Sequence, residues 1–280
     1  MPELPEVETI VRGLGPLVRG RRIEGVWWSG QGLHLGRKVD LRGLRAVAVG
    51  RAITGVRRRG KYILVDVDAG GHGDDAGAGI IIHLGMTGRL RVQPKAAPRL
   101  PHTHVVLALT GGEELRFVDP RRFGWVTPGR PIAEDAALAA LGPDPLTELD
   151  ADALATALAA ARTPIKAFLL DQRRIAGLGN IYVAEALFRV GAHPALPAKR
   201  LARRAGELLA AVRAALEGGI ARRGTSLRDY VDVDGEPGDN LAALLVYGRE
   251  GGPCFQCGAV IRRRVDSGRA TFFCPRCQRR

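Results

Sequence analysis

The segment CFQCGAVIRRRVDSGRATFFCPRC, residues 254–277, contains all four cysteines of the 280-residue chain. They form two Cys-x-x-Cys pairs, made by Cys254, Cys257, Cys274 and Cys277. Two close pairs of thiolates match the tetrahedral ligand set of a zinc ribbon and leave no coordination position open for water. We therefore predict one structural Zn²⁺ in a separate module over residues 248–280. A redox role for the cysteines is the alternative.

The region before this module is rich in Ala and Leu and predicts helices. The run IKAFLLDQRRIA, residues 165–176, indicates a helix that GLGN breaks, and Asn180 precedes a second helix over IYVAEALFRVGA, residues 181–192. Thr163 is expected to cap the first of these helices, with Pro164 at its first position. Turn amides at a helix N-terminus bind phosphate well, although helical hairpins with Gly turns are also common in protein cores. Two more helices are expected over 199–218 and 239–247, on either side of a polar loop at 224–238.

The first half of the chain has a different pattern. Apolar positions at helical spacing predict a helix over 6–18, and short alternating or apolar runs from about 23 to 126 predict an antiparallel sandwich or barrel. The stretch at 69–79, AGGHGDDAGAG, predicts a surface turn. The fold class that follows is α+β in two domains, with a β region followed by a helical region.

The charge balance points to a polyanionic partner. The chain has 42 Lys and Arg residues against 29 Asp and Glu, a net charge of +13. Five of these cations lie between residues 51 and 61 with no acid among them, and the last 30 residues hold seven arginines and one acid. Such clustering favours nucleic acid over a role in solubility alone.

Nothing in the sequence predicts contact with a membrane. No apolar run approaches the roughly 20 residues that a membrane span requires. The first residues are acidic and lack the apolar core of a secretory signal. Cysteines confined to paired metal-ligand motifs favour a reducing compartment. We expect a cytoplasmic, nucleoid-associated monomer.

The opening residues, MPELPEVET, combine two prolines with three glutamates. Once Met1 is removed, Pro2 becomes the amino terminus, and an α-amine with a reference pKa near 8 is partly neutral at physiological pH. A secondary amine that attacks a sugar C1′ forms a cationic iminium, which is an electron sink for elimination. Glu3 is placed as a proton shuttle and Glu6 to orient the amine. The alternative is that these acids only complement the N-terminus of the helix.

Three further features of the sequence do not indicate a function when each is taken alone. The stretch DPRRFGW, residues 119–125, could insert a ring into a base stack while an arginine contacts the exposed base, but Phe123 and Trp125 suit a sandwich core better. Met86 is also expected in the core. His83 lies in an apolar strand and is expected to be a buried histidine with its hydrogen bonds satisfied.

Considered together, these motifs resemble the formamidopyrimidine-DNA glycosylase family, which is related to endonuclease VIII. The resemblance covers essentially the whole chain and rests on the order of PELPEVET, RRGKYILV, IIHLGMTGRL, DPRRFGW, GLGNIYVAEALF, VYGREG and RATFFCPRC. It implies an N-terminal β-sandwich with flanking helices and a C-terminal helix–two-turn–helix domain with a zinc finger, and DNA in the cleft between them. The implied boundaries are 1–133 for the catalytic domain, 134–148 for a linker, 149–247 for the helical domain and 248–280 for the finger.

The resemblance also implies roles for individual residues. Pro2 is implied as the Schiff-base nucleophile, Glu3 as the general acid/base, Lys61 as a lesion and β-elimination residue, and Arg269 as a phosphate and δ-elimination residue. The implied DNA contacts are His102, Arg121, Arg162 and Asn180. The implied trio that fills the gap left by an everted nucleotide is Met86, Arg121 and Phe123, which overrides the core interpretation of Met86 and Phe123.

The function that follows is excision of oxidised purines, 8-oxoguanine and formamidopyrimidines, from double-stranded DNA, with β,δ-elimination at the abasic site. The loop at 224–238 is then the expected lid over the base, and Asp239–Asn240 stands where relatives often carry an aromatic residue. One alternative is an endonuclease VIII-like enzyme for oxidised pyrimidines. Another is a non-catalytic zinc-ribbon protein that only binds DNA.

Overall fold

The computed structural model describes residues 1–34, 36–69, 77–227 and 229–279. The surface turn expected at 69–79 lies mostly outside these ranges. The chain forms two compact units, one of residues 1–140 with 223–238, and one of residues 141–222 with 239–280. The loop predicted at 224–238 therefore belongs to the same unit as the N-terminal region, although it follows the helical region in sequence.

The first unit contains two four-stranded antiparallel sheets within the described residues, with strand orders β1-β6-β7-β5 and β2-β3-β4-β8. The strands are β1 (Ile23–Trp28), β2 (Ile53–Arg59), β3 (Tyr62–Val67), β4 (Gly79–His83), β5 (Arg89–Pro94), β6 (Thr103–Leu109), β7 (Glu113–Val118) and β8 (Trp125–Gly129). The helices of this unit are α1 (Leu4–Val18), α2 (Leu41–Ala48) and α3 (Ala136–Ala139), the last preceded by a 3₁₀ turn at Ile132–Glu134.

Both sheets contribute to one hydrophobic core. Ile63 and Ile80 from one sheet and Leu107 and Phe117 from the other are at most 3% exposed and belong to the same cluster. Apolar side chains on alternate strand positions can bury only one face of a sheet, so the two faces pack together. The predicted sandwich is confirmed.

Helix α1 begins two residues earlier than its apolar spacing predicted, at Leu4. It buries Val7, Ile10 and Leu14 completely or nearly so against the sandwich core. A Cβ added at Gly13 would lie 2.7 Å from Val233 Cγ2, so this glycine lets the 223–238 segment approach the helix closely.

The second unit is helical, with α4 (Ala151–Ala159), α5 (Ile165–Leu170), α6 (Asn180–Arg189) and α7 (Ala205–Ala221). Three predictions fail here. Helix α5 ends at Leu170, so residues 171–176, which were expected to continue the helix, form turns and bends. Pro164 itself is the N-cap of α5, because its extended ψ of 146° places the first helical residue at Ile165. The helix expected over 239–247 is only a 3₁₀ turn at Asn240–Ala243. Residues 199–218 fall in a 3₁₀ turn at Ala198–Arg204 that continues into α7.

The chain ends in a hairpin of β9 (Arg262–Asp266) and β10 (Arg269–Phe273). Ile261 and Phe272 of this finger pack with Ala184 and Phe188 of α6 in a second, smaller hydrophobic cluster. The carboxylate of Glu185 accepts hydrogen bonds from the backbone N–H groups of residues 245, 246 and 247, at 2.8, 3.0 and 3.0 Å. Across the described part of the chain, no helix combines the length and apolar character needed to span a membrane.

Candidate functional site

The N-terminal carboxylates form a buried cluster. Glu3 and Glu6 are 4% and 1% exposed, and the backbone N–H of Glu3 donates to Glu6 Oε2 at 2.8 Å. The other oxygen, Glu6 Oε1, accepts from the backbone N–H of Thr225 at 2.7 Å. One carboxylate therefore joins the residue after Pro2 to the start of the 224–238 loop, more than 200 residues away in sequence.

The same loop makes a second contact with α1. The Tyr230 hydroxyl donates to the backbone oxygens of Glu6 and Arg223, at 3.4 and 3.1 Å. Burial, together with the nearby Glu6 carboxylate, raises the pKa of Tyr230, so the phenol stays protonated and can donate. Pro2 is buried at this end of the helix, whereas Met1 is 52% exposed.

The third acid of the opening segment has a different environment. Glu8 accepts from Arg12 at 2.8 Å and from Arg58 at 2.9 Å. Partial burial of Glu8 opposes ionisation, but the two guanidinium groups prevail and lower the pKa of its carboxyl. The two acids in the first turns of α1 therefore have different kinds of partner. Glu8 stabilises the helix through ion pairs, and Glu6 is committed to backbone donors on both sides of it.

Lys61 follows Gly60 in the turn between β2 and β3 and is 8% exposed. The strand register places Tyr62 opposite His83 and His83 opposite Trp125, on one face of the sheet. The His83 and Trp125 rings stack at 4.1 Å with an interplanar angle of 14°. Burial, with the positive charges of Lys61 and His34, lowers the pKa of His83 to about 3. His83 Nδ1 accepts from Gly85 N–H at 3.0 Å, so the neutral ring carries its proton on Nε2.

Two loops of the first unit bring Met86, Arg121 and Phe123 to the surface. Met86 is 40% exposed, so the interpretation of this residue as core is wrong. Phe123 is half-buried, and the Arg121 guanidinium lies 4.6 Å above its ring. The turn at Leu84–Gly88 points Met86 outward because the loop leaves the sheet at His83. His102, also exposed, has a φ of 65° in the loop before β6.

Asn180 and the finger meet in the second unit. The Asn180 side-chain amide donates to the backbone oxygen of Ala270 at 2.8 Å. Lys166 Nζ donates to the same oxygen at 3.0 Å and to Thr271 Oγ1. Lys166 is 4% exposed, and burial, assisted by Arg269 and Arg264 and opposed by Asp266, lowers the pKa of its amine to about 8. These bonds hold the backbone immediately after Arg269, whose own side chain is exposed.

Arg162 and the arginines of the finger differ in exposure and in their partners. Arg162 is exposed between α4 and α5. In the finger, Arg264 forms an ion pair with Asp266, and Arg263 lies 3.7 Å from Glu250. Arg269 lies at the turn end of the hairpin, where a strand-pair tip can approach a phosphate.

The four cysteine sulfurs lie within 4.8 Å of one another. Cys254 Sγ and Cys277 Sγ are 3.9 Å apart, and Cys257 Sγ and Cys274 Sγ are 3.5 Å apart. Thiolates at about 2.3 Å from a tetrahedral zinc would be separated by about 3.8 Å. The residues therefore fit one structural Zn²⁺, and the predicted ligand set is confirmed by this geometry.

Two residues of these clusters, Thr225 and Lys166, could hardly be identified from the sequence. Thr225 acts through its backbone N–H, which every residue other than proline possesses. Lys166 is one lysine in a helix of otherwise apolar residues, IKAFLL. Its position inside an apolar helical pattern was the only available clue that its amine would be buried.

Three family models match the chain in order. They are described as the formamidopyrimidine-DNA glycosylase N-terminal domain, over residues 1–126, the formamidopyrimidine-DNA glycosylase H2TH domain, over 141–231, and the zinc finger found in FPG and IleRS, over 251–280.

Relatives and solved structures agree along the full length. A formamidopyrimidine-DNA glycosylase of Rhizorhabdus wittichii is 46% identical over 288 residues and covers 100% of both chains. The crystal structure of the MutM (Fpg) protein of Thermus thermophilus is similar with a TM-score of 0.85 and 41% identity, over 99% of this chain and 98% of that one. A structure of MutM in complex with DNA containing carbocyclic 8-oxo-G matches 100% of both chains with a TM-score of 0.87 and 32% identity.

Proposed function

The chain belongs to the formamidopyrimidine-DNA glycosylase family, and we propose that Pro2 is the nucleophile of its reaction. The enzyme is a bifunctional DNA glycosylase and abasic-site lyase that removes oxidised purines from double-stranded DNA in base-excision repair. The finger holds one structural zinc ion. The pyrimidine-specific and the purely binding alternatives are therefore set aside.

The observation that carries the proposal is the bonding of Glu6. Its carboxylate holds the Glu3 N–H and the Thr225 N–H at the same time, which orients the peptide directly after Pro2. The amine of Pro2 is then held at one place next to the Glu3 carboxylate, rather than moving with a frayed helix end. Because Met1 is exposed, it is accessible for removal, and removal generates the secondary amine.

The reaction follows from this arrangement. The Pro2 nitrogen forms a bond to C1′ of the everted nucleoside, and the bond from C1′ to the oxidised base breaks as the base leaves with a proton. Opening of the sugar ring gives an iminium whose positive charge is stabilised by the buried acids. Glu3 transfers protons at C2′ and at the ring oxygen, and the 3′ phosphate leaves, followed by the 5′ phosphate. Water finally hydrolyses the iminium and restores the amine.

The remaining residues are proposed to have separate roles at the lesion, at phosphates and in the duplex. Lys61 is buried beside neutral His83 in the first unit and is proposed to act at the lesion and in β-elimination. Arg269, held through the Ala270 backbone, is proposed to bind phosphate and assist δ-elimination. Exposed His102, Arg121 and Arg162 are proposed to contact the DNA, and the amide of Asn180 is proposed to contact its backbone. Met86, Arg121 and Phe123 are proposed to fill the gap in the duplex.

Two proposals concern the setting of the enzyme. A repair enzyme for chromosomal DNA works where that DNA is, so we propose cytoplasmic, nucleoid-associated action by a monomer. The 224–238 loop is proposed to cover the everted base, since Thr225, near its start, is bonded to Glu6 of α1, the helix that begins two residues after Pro2.

Borohydride trapping tests the proposal. The enzyme mixed with a duplex containing 8-oxoguanine should form a covalent adduct that maps to Pro2, and Pro2→Gly or a chain that retains Met1 should lose nearly all of it. Pro5→Ala is the matched control, because it alters a second proline three residues away, at the start of α1, and leaves the terminal amine intact. An adduct of normal yield in the Met1-retaining chain would refute the role of Pro2. A thymine glycol duplex in parallel should be cut more slowly than the purine lesions.

A further inference from the structure

We propose that Asp119 is the positioning residue that holds the gap-filling side chains Met86, Arg121 and Phe123 in one arrangement. The proposal rests on the proposed role of that trio, since it explains how two separate loops present three side chains together. Asp119 directly follows β7 and is 0% exposed. It is the acid of the DPRRFGW stretch, whose arginines and aromatics were the residues considered for function.

The carboxylate is fully used by donors from both loops. Oδ1 accepts from the Thr87 hydroxyl at 2.5 Å and from the backbone N–H of Arg121 at 3.3 Å. Oδ2 accepts from the backbone N–H of Gly124 at 2.8 Å. Thr87 follows Met86 in one loop, and residues 121 and 124 bracket Phe123 in the other. A single buried side chain therefore joins the two loops.

The backbone of Asp119 extends the same arrangement. Its N–H donates to the carbonyl of His102 at 3.0 Å, and its carbonyl accepts from the N–H of Arg122 at 3.2 Å. The His104 ring nitrogen Nε2 lies 3.1 Å from the same carbonyl. His102, another proposed DNA contact, is thus held by the residue that holds the trio.

Close packing of the two loops makes this arrangement sensitive to small changes. A Cβ added at Gly85 would lie 2.4 Å from the backbone nitrogen of Gly124, so the loop backbones are in direct contact. A Cβ at Gly124 would lie 2.8 Å from Phe117 Cζ in the sandwich core. The loops therefore cannot shift independently of each other. Loss of one acceptor at Asp119 must move both loops or leave a buried amide without a partner.

The physical reason for such rigidity lies in the energetics of base eversion. Extrusion of a base costs a few kcal/mol, and side chains that enter the vacated space offset that cost only if they are already oriented. Met86 and Phe123 each have several rotamers and lie on loops. If these side chains had to be ordered at the moment of insertion, the lost conformational entropy would offset part of the free energy that insertion provides. A buried carboxylate that accepts three hydrogen bonds supplies this order beforehand.

The test compares Asp119→Asn with Thr87→Val and Thr87→Ser on two substrates. One is a duplex with 8-oxoguanine beside a fluorescent 2-aminopurine, which reports side-chain insertion and base excision. The other is a single-stranded oligonucleotide with a preformed abasic site, which requires the Pro2 chemistry but no gap filling. Asp144→Asn is the matched control, since Asp144 is also buried and also caps a turn through a backbone amide, Leu146 N–H, but lies in the helical unit.

We expect Asp119→Asn to slow insertion and duplex excision by about ten- to a hundredfold, the effect of one or two buried hydrogen bonds. Elimination on the single strand should be unchanged. Thr87→Val should act in the same direction by a smaller factor, and Thr87→Ser should restore the wild-type rate because it restores the hydroxyl. Asp144→Asn should lower the melting temperature and leave insertion unchanged.

Wild-type insertion and excision rates in Asp119→Asn would overturn the proposal, and so would an equal slowing on both substrates. If Asp119→Asn does not fold, Thr87→Val decides, and wild-type behaviour of that variant would overturn the proposal. Failure of the proposed function is a different result, because the wild-type chain would then give no borohydride adduct. If the wild-type enzyme forms the borohydride adduct and Asp119→Asn still inserts and excises at the wild-type rate, only the positioning role of Asp119 is refuted.

Discussion

The zinc finger and the N-terminal end of α1 both hold functional groups in a small volume, but they do so by different forces. In the finger, four thiolates converge because one metal ion binds all of them, and the ligands come from two short, neighbouring segments. At α1, the Glu6 carboxylate binds backbone amides from residues that are far apart in sequence, Glu3 and Thr225. Metal coordination contributes far more free energy than two hydrogen bonds.

This difference has a functional consequence. A strongly bound metal makes the finger stable as a rigid support, to which Lys166 and Asn180 attach the backbone near Arg269. The hydrogen bonds at Glu6 are weaker singly than metal coordination, so the contact between Thr225 and α1 is the more easily broken of the two. The site that must admit a base is therefore built from the weaker of the two kinds of contact.

The largest expected effect comes from removal of the metal. Cys274→Ser, or extraction of zinc with a chelator, should unfold the finger and reduce affinity for damaged duplex by at least about a hundredfold, because Arg269 loses its support. The sandwich should keep its own unfolding transition. Calorimetry, a zinc assay and a DNA-binding titration measure this. Simultaneous collapse of both units would show that the finger stabilises the whole chain, and the contrast between the two regions would fail.

An intermediate effect is expected for Glu6→Gln. The amide group replaces one acceptor oxygen by a donor, which then faces the N–H of either Glu3 or Thr225. We expect the rate of borohydride trapping to fall by about tenfold or more, with the fold retained. Glu8→Gln is the matched control in the same helix, since Glu8 bonds only side chains in the described contacts. Equal effects of the two substitutions would mean that the acids only stabilise the helix.

The smallest effects are expected for the two ion pairs that Glu8 of α1 forms. Arg12 and Arg58 both bind Glu8, with side chains 65% and 8% exposed. Arg12→Ala should change the free energy of unfolding by less than about 0.5 kcal/mol, because solvent screens an exposed pair. Arg58→Ala should destabilise the protein by about 2 kcal/mol, since it leaves Glu8 partly buried without that partner. Urea unfolding of the wild type and of both variants measures these changes in the free energy of unfolding. An equal cost for both would contradict the burial argument.

Most of the fold followed from local patterns. The sandwich, the helical hairpin around Asn180 and the finger were each predicted from spacing within a single segment. The failures came where local signals conflict with tertiary context. A helix was expected over 239–247, but Leu244 and Val246 are buried, and Glu185 binds the backbone amides of residues 245–247. Amides bonded to a distant carboxylate are not available to a helix.

The candidate site also has some features that local sequence predicts and others that depend on tertiary packing. The zinc ligands and the acidic N-terminal segment are defined by residue type and short spacing, which a sequence displays directly, so the sequence alone determined the metal, the candidate nucleophile and the class of partner. The bonds of Glu6 to Thr225, of Lys166 to the Ala270 backbone and of Asp119 to two loops were decided only by the tertiary structure. Each joins segments between 32 and more than 200 residues apart, or uses a backbone amide that every non-proline residue has. Such contacts depend on how the chain packs, and residue identity carries almost no information about them.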